Sequence, residues 1–307
     1  MAVLIYCDQN FLIRIGKESG PYQDRIRELI SANDVILVIS AWHWVELARD
    51  RNHARGLALA DFAESLQPMW IRERRDSQRH EAEASFFSFL GVSYSRPSPL
   101  TSRAEIIAGI NRVPVASVAQ ISSREFVGYL QSAPKAMAPI QAGYRKNVTA
   151  LEAIRRAGAA GRLTPEMNKK FDRLYVARLL PSQTPAGLVI DTQSRKEFLE
   201  SLDIQTCPSI AVEFAISQDG WHAVGGYRWQ DFIDRQHAIS ALPYVDMMAT
   251  DDVDLTKVIL RIRPNLRFPT ACPITKERFD RLYIRRPGWL SRLGKLLQRK
   301  LKGVLVT

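Results

Sequence analysis

The chain has 307 residues, 46% of them hydrophobic and 24% charged, with a formal net charge of +11. That is enough apolar material for one large domain or two smaller ones, in the composition of an ordinary globular protein. No apolar run approaches the ~20 residues that cross a bilayer. The three isolated cysteines, Cys7, Cys207 and Cys272, make neither a disulfide framework nor a zinc site. The apolar start MAVLIYCDQN has no basic leader and is broken by Asp8, so a secretory signal is not expected and a cytoplasmic setting is.

Residues 3–7 (VLIYC) form a short apolar run that stops at Asp8, the pattern of a buried strand. Helical spacing begins at Asn10, and residues 22–30 set Ile26, Leu29 and Ile30 among charges, as in an amphipathic helix. Residues 35–39 (VILVI) predict a second buried strand. Ser40 follows as an N-cap, and the helix behind it carries Glu46 inside an otherwise apolar WHWVELA. A further helix is expected over 54–66 and a short strand at Trp70 and Ile71. Strand and helix in alternation predict an α/β layer with parallel strands. Such sheets bind ligands beyond the carboxyl ends of their strands. Asp8 ends the first strand, and Glu46 lies about a turn and a half into the helix after the second, so both acids are expected at one edge.

SYSRPSP (93–99) is a loop. From 103 to 202 the pattern is mostly helical, best over 126–131, 142–156 and 165–180, with a turn at PSQTPAG (181–187) and no acid cluster. This stretch reads either as a helical insertion or as helices packed around the α/β core. The α/β pattern returns near Cys207. Residues 210–216 are helical, 231–242 form an amphipathic helix ended by Pro243, 244–249 (YVDMMA) form a strand, and 253–262 are helical. The expected division is a first core part at 1–94, a helical insertion at 95–204, a second core part at 205–268 and a basic tail at 276–307.

Acids gather at strand ends and helix starts in this scheme: Asp8, Glu46, Asp234, and Asp251 or Asp252, with Asp231 and Asp246 nearby. Asp231 and Asp234 share a helix face, and His237 lies three residues further along it. Carboxylates in one cleft repel and raise each other's pKa. A hard divalent cation removes that conflict, and Mg²⁺ and Mn²⁺ prefer oxygen ligands. A single aspartate after a strand also serves as a cap or turn residue, which is the plain reading of Asp251 and Asp254. His237 reads as a packed or capping histidine. Glu46 resists such a reading, because an acid inside an apolar face is costly unless something compensates it.

Together these residues resemble the PIN domain family of ribonucleases. The resemblance rests on VLIYC followed by Asp8-Gln9-Asn10, on VILVIS ending in Ser40 with Glu46 in the next helix, and on Asp234 ahead of a strand and Thr250-Asp251-Asp252. LPYVD adds Asp246, as in a subset where an Asp follows Pro-Tyr. The match covers about half the chain, residues 1–72 and 205–262, and requires an insertion between Glu46 and Asp234. It implies a three-layer α/β/α fold with a central parallel sheet, and a Mg²⁺- or Mn²⁺-dependent endoribonuclease leaving a 5′-phosphate and a 3′-hydroxyl. It implies Asp8, Glu46, Asp234 and Asp252 as catalytic metal ligands, with Asp246 the next candidate for the fourth. Asn10, Ser40, Asp231 and Thr250 would orient them. A catalytically inactive PIN-like nucleic-acid-binding or scaffold protein is the alternative.

Residues 276–302 hold ten basic residues against two acids, a net +8 of the chain's +11. Within them Leu290, Leu293, Leu296, Leu297 and Leu301 recur at three- and four-residue steps between lysines and arginines, a basic amphipathic helix. Its leucines are expected to dock on the protein's own core. Arg285, Arg286, Arg292, Lys295, Arg299 and Lys300 would then meet RNA phosphates, in a sequence-blind and salt-sensitive way. An anionic membrane surface, another protein or a second copy of the chain are competing partners.

Overall fold

The computed structural model describes residues 2–18, 20–133, 165–219 and 229–285, with a few isolated positions between 135 and 146. Six strands are present among them: β1 (Val3–Cys7), β2 (Val35–Ser40), β3 (Met69–Ile71), β4 (Leu100–Thr101), β5 (Met247–Ala249) and β6 (Cys272–Ile274). They form one sheet in the order β4-β3-β2-β1-β5-β6. Neighbours are parallel except β3 and β4, which run antiparallel. The helices, in chain order, are α1 (Gln9–Lys17), α2 (Gly20–Ser31), α3 (Ala41–Ala48), α4 (His53–Ser65), α5 (Arg74–Phe89), α6 (Arg103–Asn111) and α7 (Ser123–Ser132). After these come α8 (Pro165–Ala177), α9 (Thr192–Ser201), α10 (Pro208–Gln218), α11 (Trp229–Ala241), α12 (Val253–Ile262) and the short α13 (Lys276–Phe279).

The alternation of side chains along a strand divides the central ones between two faces. Ile5, Cys7, Leu37 and Trp70 take one face, and Tyr6, Val38, Ile71 and Met248 the other, all buried. The first face is covered by α1 and α2 through Phe11, Ile15 and Leu29, and further along by α3, α4, α6 and α7 through Trp44, Ile107 and Val127. The second is covered by α10, α11 and α12 through Val212, Ile239 and Val258. Helices on both faces of a mainly parallel sheet explain why these strands read as continuous apolar runs.

Three elements depart from the sequence expectation. The 16-residue α5 shows no apolar stripe over its first half, because the buried residues there are the polar Ser77, Gln78 and Glu81; Ala82, Phe86 and Phe87 are buried only in its second half. β4 and β6 have two and three residues, too short to show a period of two. β6 also contains Pro273, which an edge strand tolerates. Residues 103–130 share one core with α3, α4 and β3, as helices packed around the sheet. The turn expected at 181–187 closes with a bridge between Gln183 and Val189 and holds Gly187 at φ +81°. The helix expected at 142–156 and the tail beyond Arg285 lie, for the most part, outside the described residues. No helix among the described residues is long and apolar enough to cross a membrane.

From β1 the chain steps to β2 and β3 on one side, then returns to lay β5 against the other side of β1. The crevice beyond the carboxyl ends of β1 and β5 is therefore the topological switch point, where open α/β sheets take their ligands.

Candidate functional site

Asp8 stands at that point. Its N–H donates to the Ala249 carbonyl at 2.9 Å, the last rung between β1 and β5. Its backbone is extended, and its side chain caps α1 by accepting the Phe11 N–H at 2.7 Å. The Thr250 hydroxyl also bonds to this carboxylate, and accepts the Asp252 N–H at 3.0 Å. Asp8 is only 4% exposed. Burial pushes its pKa up to about 6, with Glu46 adding to the rise and Thr250, Phe11 and His237 opposing it.

Glu46 and Asp234 arrive from the two helical layers. Helix α11 begins over α3, with Phe232 edge-on to Trp42 at 5.5 Å and Ile233 in the same core as Trp44. The next turn of α11 then places Asp234 and His237, both buried, over the sheet edge. His237 Nε2–H donates to Glu46 Oε2 at 2.9 Å. Its Nδ1 bonds to the Tyr6 hydroxyl, which bonds in turn to Ser40 Oγ at 2.7 Å. Four groups from β1, β2, α3 and α11 thus form one continuous chain, buried as far as the partly exposed Glu46.

This chain is satisfied in either charge state of the imidazole. As imidazolium, His237 donates at both nitrogens and Tyr6 donates to Ser40. When neutral, it accepts from Tyr6, which accepts from Ser40. Burial pulls the His237 pKa down, but the Glu46 hydrogen bond and the charges of Glu46, Asp234 and Asp8 lift it above the ordinary value. Burial also raises the Tyr6 pKa well above the usual phenol value, so its hydroxyl keeps its proton.

His43, whose ring centroid is 4.9 Å from that of His237, has the opposite environment. Its Nδ1 accepts the Ser40 N–H at 3.1 Å and its Nε2–H donates to the Cys7 carbonyl at 2.6 Å, which fixes one neutral tautomer. Burial, then the positive charge of His237, pushes its pKa down to about 4.

The remaining expected residues are placed as follows. Asp252 caps α12, accepting the Leu255 N–H at 2.7 Å, and joins Asp8 through Thr250. Asp251 faces elsewhere: it pairs with Arg14 and accepts the Lys276 N–H at 3.0 Å. Asp246 sits at the entry end of β5, where it accepts the Leu4 N–H at 2.8 Å. Four residues of extended chain, ~13 Å, separate it from Thr250. Asp246, a candidate for the fourth ligand, thus lies at the opposite end of β5 from Asp8, Thr250 and Asp252. The Ser40 hydroxyl bonds to Tyr6 rather than to an acid. Asn10 is exposed in the first turn of α1, and Asp231 lies one turn before Asp234 in α11. Arg285 is exposed. Arg286, Arg292, Lys295, Arg299 and Lys300 lie outside the described residues.

Asp8, Glu46 and Asp234 therefore all act on one imidazole. Carboxylates with a neighbouring hydroxyl are the donor chemistry of a hard divalent cation. As they stand, no three His, Cys, Asp or Glu side chains among the described residues are gathered at ligand spacing, and Glu46 is turned to His237. Sequence reasoning missed the polar chain itself. Tyr6 lies inside an apolar run, and its only clue is a strand parity that faces it toward α11. His237 shared the Asp234 face, but that spacing also suits a packed histidine. No protein-family model matches the chain, and no curated protein or solved structure matches it.

Proposed function

We propose that this chain is a Mg²⁺- or Mn²⁺-dependent endoribonuclease built on a PIN-like α/β/α fold. The observation that carries this reading is the convergence of Asp8, Glu46 and Asp234, from opposite ends of the chain, around His237 at the switch point of the sheet. Acids brought together out of water raise one another's pKa until a cation joins them; Asp8 is pushed up to about 6, chiefly by burial and to a smaller extent by the charge of Glu46. A divalent ion bound there supplies an activated water and neutralises charge on the leaving oxygen. Asp8, Glu46 and Asp234 would hold it, with Asp252 as the fourth oxygen donor. Thr250 and the first turn of α1 fix the Asp8 carboxylate between them. Arg285 and the basic residues after it supply cations for the RNA backbone.

The test is Asp8→Asn. Asparagine can still cap α1, so the melting temperature should not fall, while Mn²⁺-supported cleavage of single-stranded RNA should drop at least about a hundredfold, since loss of even a partner behind a ligand costs about ten- to a hundredfold. Cleavage retained in a folded Asp8→Asn protein rejects the assignment. The hold of His237 on Glu46 and the cap role of Asp252 favour a second reading, an inactive PIN-like nucleic-acid-binding or scaffold protein. Calorimetric titration separates the two. Mn²⁺ uptake at or below millimolar concentration supports the enzyme, and RNA binding without uptake supports the scaffold.

A further inference from the structure

We propose that Tyr6 and His237 form a positioning arm for Glu46: the Tyr6 hydroxyl fixes the imidazole, and His237 Nε2–H holds the carboxylate at the carboxyl edge of the sheet. Use of the arm in metal binding rests on the function proposed above; the arm itself does not.

A glutamate has three side-chain torsions and loses substantial freedom when held in one place. Glu46 reaches out from α3, and its side chain is 12% exposed. The group that takes it, His237, is fixed at its other nitrogen by Tyr6. Tyr6 is fully buried on β1, between β2 and β5, so the arm is anchored at the centre of the sheet. Ser40 pins the hydroxyl from β2. Tyr6 shares its buried cluster with Val38, Ala238, Ile239 and Met248, while the His43 ring stands edge-on to both Tyr6 and His237. Placing a hydroxyl, an imidazole and a carboxylate in line through such a cluster is costly unless each is satisfied. Phenylalanine and leucine would fill the same volume without that demand. What the polar chain provides that they do not is a defined place for the Glu46 oxygen atoms. His237 and Tyr6 touch no reacting atom in this scheme; they act through Glu46.

Tyr6→Phe removes the hydroxyl and keeps the ring. Two readouts follow. In metal-free protein, nitrogen-15 NMR of the imidazole should show the His237 Nε2 proton exchanging with water at least about tenfold faster in Tyr6→Phe. Calorimetric titration should show Mn²⁺ affinity about tenfold weaker, the size usual for loss of a partner behind a ligand. Ser40→Ala, at the far end of the chain, should shift both in the same direction by less. Ile262→Ala is the stability control: it destabilises the same core from the far end of α12, away from the arm, and should move neither readout. A folded Tyr6→Phe protein with unchanged exchange and unchanged affinity overturns the proposal, as does an Ile262→Ala protein that moves both equally. If the wild type takes up no Mn²⁺, the metal reading falls and the exchange measurement alone decides the arm.

Discussion

Two buried histidines, with ring centroids 4.9 Å apart, hold opposite charge tendencies because of what surrounds each. His237 is ringed by carboxylates, while His43 meets a backbone N–H, a backbone carbonyl and the positive side of His237. The folded-state pKa of His43, about 4, lies below its ordinary 6.5. The folded protein therefore binds fewer protons than the unfolded chain between those values. The stability that neutral His43 contributes is complete above pH 6.5 and is lost as pH falls toward 4, by about 3 kcal/mol over the whole window. His43→Gln can still accept the Ser40 N–H but cannot titrate. The stability advantage of the wild type over His43→Gln should shrink by about 2 kcal/mol between pH 7 and pH 4.5, measured by urea unfolding. Parallel pH curves for the two proteins would show that His43 is not the responsible group. At this scale Asp8 and Glu46 were legible as acids set in apolar surroundings. The histidines were not, because a buried imidazole beside an acid and one among leucines leave the same trace in a sequence.

Helix α5 shows what an apolar stripe confined to half a helix can conceal. The inward face of its first half is held by two buried carboxylate centres. Glu213 of α10 accepts from Arg74 at 2.9 Å and from Gln78 at 2.7 Å, with Arg235 of α11 at 3.6 Å. Glu81 of α5 accepts the Ser209 N–H and hydroxyl at the start of α10, and the Tyr244 hydroxyl. Burial alone would raise the Glu213 pKa, but Arg74 and Arg235 hold it below the usual carboxylate value. Removing one member of such a cluster leaves the others charged and out of water. Glu213→Ala should cost about 3 kcal/mol in urea unfolding, and Glu213→Gln less, since its amide oxygen still accepts from Gln78. A loss under about 1 kcal/mol for Glu213→Ala would mean that the arginines find water instead. Because α11 carries both Arg235 and His237, this cluster also sets the pose of the helix that reaches Glu46.

Across the whole molecule, charge is divided between an acidic crevice and a basic terminus. Residues 286–307 contain six Lys and Arg and no acids. Should they contact RNA phosphates, a chain ending at Arg285 will bind single-stranded RNA more weakly. The slope of log K against log salt will be shallower by up to about 4, at roughly 0.7 per phosphate contact on single strands. Equal slopes for the two chains would assign the terminus to another partner. Vesicle flotation with anionic lipid then tests the membrane surface directly.

The amino-acid sequence by itself determined the α/β class, the strands β1, β2 and β3, the cap at Ser40, and the acids worth watching. Each follows from local chemistry: an apolar run, a capping side chain, a carboxylate where hydrophobic residues should be. Only the tertiary structure decided that β5 returns beside β1, which brings Asp8 to Thr250 and sends Asp246 to the opposite end of the strand. It also decided that α11 lies over α3, so that His237 meets Glu46 across 191 residues of sequence. Distance along a chain says nothing about such meetings. They depend on which strands pair and in which register, and that choice belongs to the core as a whole rather than to any local segment.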